Sequence, residues 1–270
     1  MIKNIGLITP GGDASGINSC LRAVVREAFH HKLKVFGIYD GYQGLFDNNI
    51  KPLDIASVSG IIHQGGTILK STRCAEIRTP KGLERAAKRL KEHRIDSLIV
   101  IGGDGSFRSA LKLAQKGIPV IGIPASIDND IYGTEETIGF DTAMNVAVSA
   151  IDRIRDTAAS FNRIFLVEVM GRDNGFLALS VGLASGAEYI LLPEIKTDLK
   201  ELCSDLKKAK MKGKKSEIII FAEGTGDVRK IARTIERQTG TPVRTSSLGY
   251  IQRGGAPSGR SRILGTLFGV

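Results

Sequence analysis

Short, continuous apolar runs alternate with helix-periodic stretches along the whole chain, and this alternation restricts the possible architectures more than any other feature. The runs are Lys3–Ile8, Lys34–Tyr39, Ser97–Ile101, Val120–Pro124, Arg163–Val169, Tyr189–Leu192, Glu217–Ala222 and Pro242–Ser246. Helical periodicity fills Gly16–His30, Gly82–His93, Ser106–Gln115, Thr142–Ser160, Phe176–Ala184, Asp198–Lys210 and Asp227–Gln238. A strand that is apolar on both faces must be covered twice, and the intervening helices supply the cover. The pattern therefore predicts an α/β protein with mostly parallel sheets covered by helices. A chain of 270 residues makes one large domain or two smaller ones. Two are expected here, residues 1–139 with 251–270 and residues 140–250. No Pro/Ser-rich linker separates them, so the chain is expected to cross at tight connections near Ile138–Asp141 and Ser247–Ile251.

Composition removes several classes of function. Apolar residues make up 42% and charged residues 24%, an ordinary globular mixture. The longest apolar runs are strand-sized and far short of a membrane span. The opening, MIKNIGLITPGGD, predicts a first strand rather than a signal peptide. Cys20, Cys74 and Cys203 form no CxxC pair, which argues against a zinc site or a disulfide framework and fits a reducing, cytoplasmic compartment. The net charge of +10 is compatible with nucleic acid, an anionic membrane or small anions. Aromatic residues are only 6%, Trp is absent and no recognition motif accompanies the charge, so small anionic ligands remain. The densest basic stretch, Lys207–Lys215, reads first as a solvated helix end.

Glycine carries the functional signal. It falls just after apolar runs, at Gly11–Gly12, Gly102–Gly103, Gly171 and Gly224. These are the loops that line the ligand crevice of a parallel sheet. An apolar run followed by GGD occurs twice, through duplication or through convergent use of a phosphate turn. In IGGDGSFRSA (Ile101–Ala110) a helix is expected from near Ser106, its N-terminus favouring an anion, with Asp104 as a Mg²⁺-associated acid or a helix cap. In GIPASIDNDIYGT (Gly122–Thr134), Asp128 and Asp130 point the same way if the segment is extended. One would then serve Mg²⁺ and the other accept a hydroxyl proton, unless the pair is a simple Asx turn. TPGGDASGIN (Thr9–Asn18) suits a further phosphate. Arg172 in VMGRDNG and Arg244 and Arg253 in RTSSLGYIQRGG suit phosphoryl and monoester groups, with Arg73 and Arg163 as further cations. These features together imply phosphoryl transfer to a phosphorylated, hydroxyl-bearing metabolite. The sequence holds neither GxxxxGK[ST] nor GxGxxG, so this is neither a Walker loop nor a dinucleotide fingerprint.

GGDASG, GGDGS, PASIDND, MGR and LGYIQRGG, in that order from Met1 to the last residues, resemble the bacterial 6-phosphofructokinase family. The resemblance implies two Rossmann-like domains with the active site in the cleft between them. Residues 1–139 with 251–270 would bind ATP and Mg²⁺, and residues 140–250 the sugar phosphate. It implies transfer from ATP to the 1-hydroxyl of fructose 6-phosphate, in a cytoplasmic homotetramer. Matched by motif, Asp128 resembles the general base, Arg172 and Ser126 act on the transferred phosphate, and Asp104 and Asp130 are the Mg²⁺-associated acids. Gly12, Arg73, Cys74, Gly103, Asp104, Gly105 and Ser106 fall on the nucleotide side. Ser126, Asp128, Asp130, Met170, Gly171, Arg172, Glu223, Tyr250 and Arg253 fall on the sugar-phosphate side, joined by Arg163 and Arg244 from a neighbouring subunit. Arg22, Arg26, Arg155, Glu188 and Lys214 resemble an effector site for a nucleotide.

The chain departs from the family pattern at Tyr250, where His is usual, at Ser261, where an acid is usual, and at Ile55, where an effector-site Arg is common. Bacterial members also run several dozen residues past the position of Val270, so the chain reads as a fragment, a truncated product or a divergent short form. A pyrophosphate-dependent enzyme is the nearest alternative. That branch tends to carry Asp at the position of Gly105 and Lys at that of Ala125, so the small residues here favour ATP. The other alternative is a catalytically incompetent, regulatory or truncated form.

Overall fold

The apolar runs become strands and the periodic stretches become helices in the computed structural model, which describes residues 2–270; residue 1, counted above in the first domain, lies outside the described residues. In chain order the elements are β1 (Asn4–Ile8), α1 (Ile17–His30), β2 (Lys34–Ile38), a single turn α2 (Gln43–Phe46), β3 (Ile50–Leu53), α3 (Pro80–Glu92), β4 (Ser97–Gly102), α4 (Asp104–Gln115), β5 (Val120–Ser126) and β6 (Ile138–Gly139). There follow α5 (Phe140–Phe161), β7 (Ile164–Val169), α6 (Phe176–Ser185), β8 (Tyr189–Leu191), α7 (Leu199–Met211), β9 (Glu217–Ala222), α8 (Val228–Thr239), β10 (Val243–Ser247) and α9 (Gly259–Gly269).

Contacts divide the chain into two units. One holds the residues up to Ser126, Ile131–Thr142 and Arg253–Val270; the other holds Ile127–Asp130 and Ala143–Gln252. The first unit has a six-stranded sheet in the order β3-β2-β1-β4-β5-β6, parallel except for β3. Ile8, Ile38, Leu98 and Val100 of this sheet pack with Leu45, Leu90 and Leu113, all buried. α1 lies along α9, and Ser261 of α9 is held to Thr142 by a 2.7 Å hydroxyl hydrogen bond. The second unit has a four-stranded, wholly parallel sheet in the order β10-β7-β9-β8. Its core joins Ile164, Leu166, Ile219 and Phe221 of the strands to Leu202, Leu206 and Ile235 of the covering helices.

Helix starts are fixed by side-chain caps that the sequence supplies. The side chain of Thr79 accepts from the Gly82 amide ahead of Pro80 in α3. Asp198 caps α7, Asp227 caps α8 and Ser258 caps α9 in the same way.

The structure adds α2, β6 and α9 to the expected elements, and three further details differ. β3 was not expected: its IKPL sequence carries an exposed Lys51 and Pro52, and it pairs antiparallel at the edge of the sheet, where Pro is tolerated. β5 runs on to Ser126, so Ser126 ends a strand instead of standing in a loop. α4 begins at Asp104, two residues before the expected start, because Gly103 takes the N-cap position.

Candidate active site

In the first sheet the chain leaves β1 toward β2 on one side and β4 toward β5 on the other, so the strand order reverses between β1 and β4. Ligands of open parallel sheets bind beyond the carboxyl ends of strands at such a reversal. Both GGD turns sit there, Gly11–Gly12 after β1 and Gly102–Gly103 at the end of β4. They are in contact: a Cβ on Gly11 would lie 3.6 Å from the Gly102 Cα and the Gly103 amide nitrogen. A Cβ on Gly102 would lie 2.7 Å from the Ser106 hydroxyl oxygen. The turns therefore touch at ordinary contact distance, and Gly102 is needed for the closeness of Ser106 within its own turn. The repeated pattern thus builds one surface from two adjacent strands.

The amino end of α4 adds unpaired amides and the positive end of its dipole to that surface. Asp104 stands in the first turn of the helix, exposed and paired with Arg108 at 2.8 Å. Nothing lies within 4 Å of where a Gly105 Cβ would stand. Ser106 is buried, and its carbonyl accepts from the Tyr42 hydroxyl at 2.9 Å. Gly12 neighbours Arg253, whose guanidinium pairs with Asp13 at 2.5 Å. Arg253, expected on the sugar-phosphate side, is in the same unit as Gly12 and stands beside its turn. Arg73 is exposed and Cys74 is half-buried against the first core.

In the second unit, Asp128 and Asp130 do not share a face. The expectation depended on an extended segment, but Asn129 has φ 53°, a left-handed turn that asparagine tolerates. The turn buries Asp128, 5% exposed, and leaves Asp130 in solvent. Asp128 pairs with the Arg172 guanidinium at 3.5 Å. Met170, Gly171 and Arg172 follow β7, and Glu223 follows the adjacent strand β9. One Glu223 oxygen accepts from the Gly171 amide at 3.2 Å and the Arg172 amide at 2.6 Å. Met170 donates its amide to the Gln252 side chain at 3.4 Å. Tyr250 is 78% exposed in the turn that follows β10.

Arg163 and Arg244 are not brought to this group. Arg163 precedes β7, stacked 4.7 Å over the Phe161 ring, and Arg244 pairs in register with Phe165 at the amino end of the sheet. Arg172 lies at the carboxyl end, roughly 20 Å away along a strand of this length.

Of the effector candidates, Arg155, Glu188 and Lys214 converge. Glu188 pairs with Lys214 at 3.0 Å and with Arg155 at 3.8 Å, and accepts from the Ile218 amide at 2.7 Å. Arg22 and Arg26 lie one turn apart on α1, in the other unit. Beside the Glu188 cluster is Glu217, a residue the sequence reading did not single out. It is 6% exposed, and burial, reinforced by Glu188 and opposed by Lys214, pushes its carboxyl up to about 7. An acid raised in the fold binds its proton more tightly there than in the unfolded chain. Stability is therefore highest below the unfolded value and falls as pH rises through about 7. Glu217→Gln should remove this dependence. At pH 8 the variant should melt roughly 4–8 °C above the parent, about 2 kcal/mol, and at about pH 4, below the unfolded value, the two should converge. Thermal melts of both proteins from about pH 4 to about pH 8 check this, and parallel curves would refute it.

A family model for phosphofructokinases matches residues 4–270. The chain belongs to the phosphofructokinase family. It is 51% identical over 269 residues to the ATP-dependent 6-phosphofructokinase of Oceanobacillus iheyensis, covering 100% of this chain and 84% of that protein. The protein of the same name from Bacillus subtilis is 50% identical with the same coverage. Among solved structures, a phosphofructokinase from Saccharomyces cerevisiae superposes with a TM-score of 0.93 at 35% identity, over 99% of this chain and 40% of that one. The Pichia pastoris phosphofructokinase in the T-state gives 0.92 at 36%, over 100% of this chain and 34% of that one. Asp13, Tyr42 and Gln252, which the sequence does not single out, hold candidate residues: Asp13 pairs with Arg253, Tyr42 donates to Ser106 and Gln252 accepts from Met170. Asp13 alone had a signal, as the acid of the first GGD. Tyr42 and Gln252 act across long sequence separations that no local pattern reveals.

Proposed function

We propose that the chain is an ATP-dependent 6-phosphofructokinase, transferring the γ-phosphoryl group of ATP to the 1-hydroxyl of fructose 6-phosphate to give fructose 1,6-bisphosphate and ADP. The observation that carries this reading is the buried Asp128 carboxylate held 3.5 Å from the Arg172 guanidinium. In this reading Asp128 accepts the proton of the 1-hydroxyl. Arg172 offsets charge on the transferring group, and Ser126 offers it a hydroxyl. Gly12, Arg73, Cys74 and Gly103–Ser106 of the first unit bind the nucleotide, aided by the α4 terminus. Met170, Gly171, Arg172 and Tyr250 of the second unit, with Arg253, serve the sugar phosphate.

The carboxylates of Asp104 and Asp130 are exposed, and the described residues contain no protein-only metal cluster. Each carboxylate by itself suits Mg²⁺, which takes one or two carboxylates and completes its shell with phosphate oxygens and water. When bound, the ion supplies neutralisation of the nucleotide phosphates. Arg163 and Arg244 lie a strand's length from Arg172, which favours their serving a second copy's sugar phosphate in a homotetramer. Arg155, Glu188 and Lys214, with Arg22 and Arg26, form the effector reading. A cytoplasmic location belongs to the same reading, since its three cysteines are unpaired. Nothing lies within 4 Å of where a Gly105 Cβ would stand, which leaves room at the position where the pyrophosphate branch tends to carry Asp and favours ATP.

The test is ADP release by the purified chain with Mg²⁺ and ATP, with and without fructose 6-phosphate, against an arm with pyrophosphate. Sugar-dependent ADP release is the expected result. Activity with pyrophosphate alone would replace ATP as donor. Binding of both ligands without turnover would support a non-catalytic role.

A further inference from the structure

We propose that Glu223 is a positioning residue: its carboxylate holds the left-handed turn at Gly171–Arg172 by accepting both backbone amides, and so aims the Arg172 guanidinium at Asp128. The inference rests on the reading of Asp128 and Arg172 as the transfer pair, and it gives Glu223 a role other than the direct sugar contact implied by resemblance.

The backbone at this turn needs support. Arg172 has φ 53°, a conformation that costs a non-glycine residue free energy and persists only where the surroundings impose it. Gly171, at φ 147°, is held tightly too, since a Cβ there would meet the Asn174 carbonyl at 2.7 Å. Side-chain packing does not supply the support, because the Arg172 side chain is 68% exposed. Its 3.5 Å approach to Asp128 is too long to fix the turn by itself.

Glu223 is placed to supply it. β7 and β9 run parallel with Val169 opposite Ala222, so Glu223 emerges beside Met170, one residue before the amides it binds. One carboxylate oxygen takes both amides, at 3.2 and 2.6 Å, and bonds of this kind to a charged acceptor are stronger than neutral ones. Gly224 lets the loops close, since a Cβ there would stand 2.2 Å from the Arg172 carbonyl oxygen. The two loops therefore lock together through backbone, and the guanidinium direction follows from the locked turn.

The test compares Glu223→Ala with Glu223→Gln in the full chain. Gln keeps a carbonyl oxygen for the amides and loses only the charge; Ala loses the acceptor. Hydrogen exchange at the Gly171 and Arg172 amides, read by NMR, should speed up about tenfold or more in E223A and return most of the way in E223Q. For phosphoryl transfer, kcat should fall about tenfold or more in E223A with a smaller change in the KM for fructose 6-phosphate, and E223Q should recover most of the lost kcat. Unchanged amide exchange in E223A would overturn the proposal. So would an E223Q variant that keeps kcat but raises the sugar-phosphate KM, since that marks direct contact with substrate. If the parent chain has no transferase activity, the exchange data still decide the role of Glu223, and only the kinase reading fails. Should E223A not fold, Glu223→Asp, shorter by one methylene, withdraws the acceptor and is held to the same outcomes.

Discussion

Asp128→Asn is expected to lower the turnover of phosphoryl transfer by at least about 100-fold, the usual scale for loss of a general base. The substitution is nearly isosteric at a residue only 5% exposed, so the strand-end turn keeps its volume and the fold is unaffected. What changes is chemical: the amide cannot take the 1-hydroxyl proton. It also presents no charge to Arg172, whose guanidinium lies 3.5 Å away in the parent protein. Affinity for ATP should stay near that of the parent, since Asp128 contributes no anion-binding donor. Single-turnover transfer under saturating substrates, with nucleotide binding measured separately by calorimetry, checks both halves. Transfer by the variant at nearly the parent rate would remove Asp128 from the role of base.

Gly105→Asp is the second large effect, and it acts at the other pole. The residue lies in the first turn of α4, and the space around its missing Cβ is empty for 4 Å. A carboxylate there meets the helix dipole favourably, so thermal stability should hold or rise slightly, by about 0.3–1 kcal/mol. The same charge occupies the approach to the helix terminus, where an anionic nucleotide would otherwise be favoured. The KM for ATP should rise about tenfold or more, with any use of pyrophosphate less affected. Melting curves and steady-state kinetics separate the two effects. An unchanged ATP KM would mean that this turn does not face the nucleotide.

The same two residues show how far the sequence was legible. Gly105 stands in a glycine turn after a continuous apolar run, and both signals are local. The run IVIGG predicts a buried parallel strand and the glycines predict the turn, so the position was readable to within two residues. Asp128 was readable as an acid after a strand, but its environment was not. The turn at Asn129 depends on a positive φ that several residue types adopt only in context, and it alone separates a buried carboxylate from the exposed Asp130. β3 escaped notice for the opposite reason: Lys51 and Pro52 break the apolar pattern because an edge strand does not need it. The pairings Asp13–Arg253 and Glu223–Arg172 join residues far apart in sequence; the adjacency of β7 and β9 brings the second pair together, and the first pair meets where the chain returns to the first unit.

The first unit is made of three separate stretches of chain, with Arg253–Val270 as the last. α9, which lies along α1, belongs to that last stretch. A ribosome therefore delivers the start of this core, then the whole of Ala143–Gln252, and only afterwards the helix that covers α1. At ordinary elongation speeds the delay is roughly 5–20 s, long compared with the collapse of a domain. For that interval the side of α1 around Cys20 and Ala23, which faces α9, lacks its cover, although α1 also packs on β2, while the second unit already has nearly all of its sequence. The part synthesised first is thus the part finished last. The α1 surface around Cys20 and Ala23 stays exposed on the nascent chain until Gly265 and Gly269 arrive.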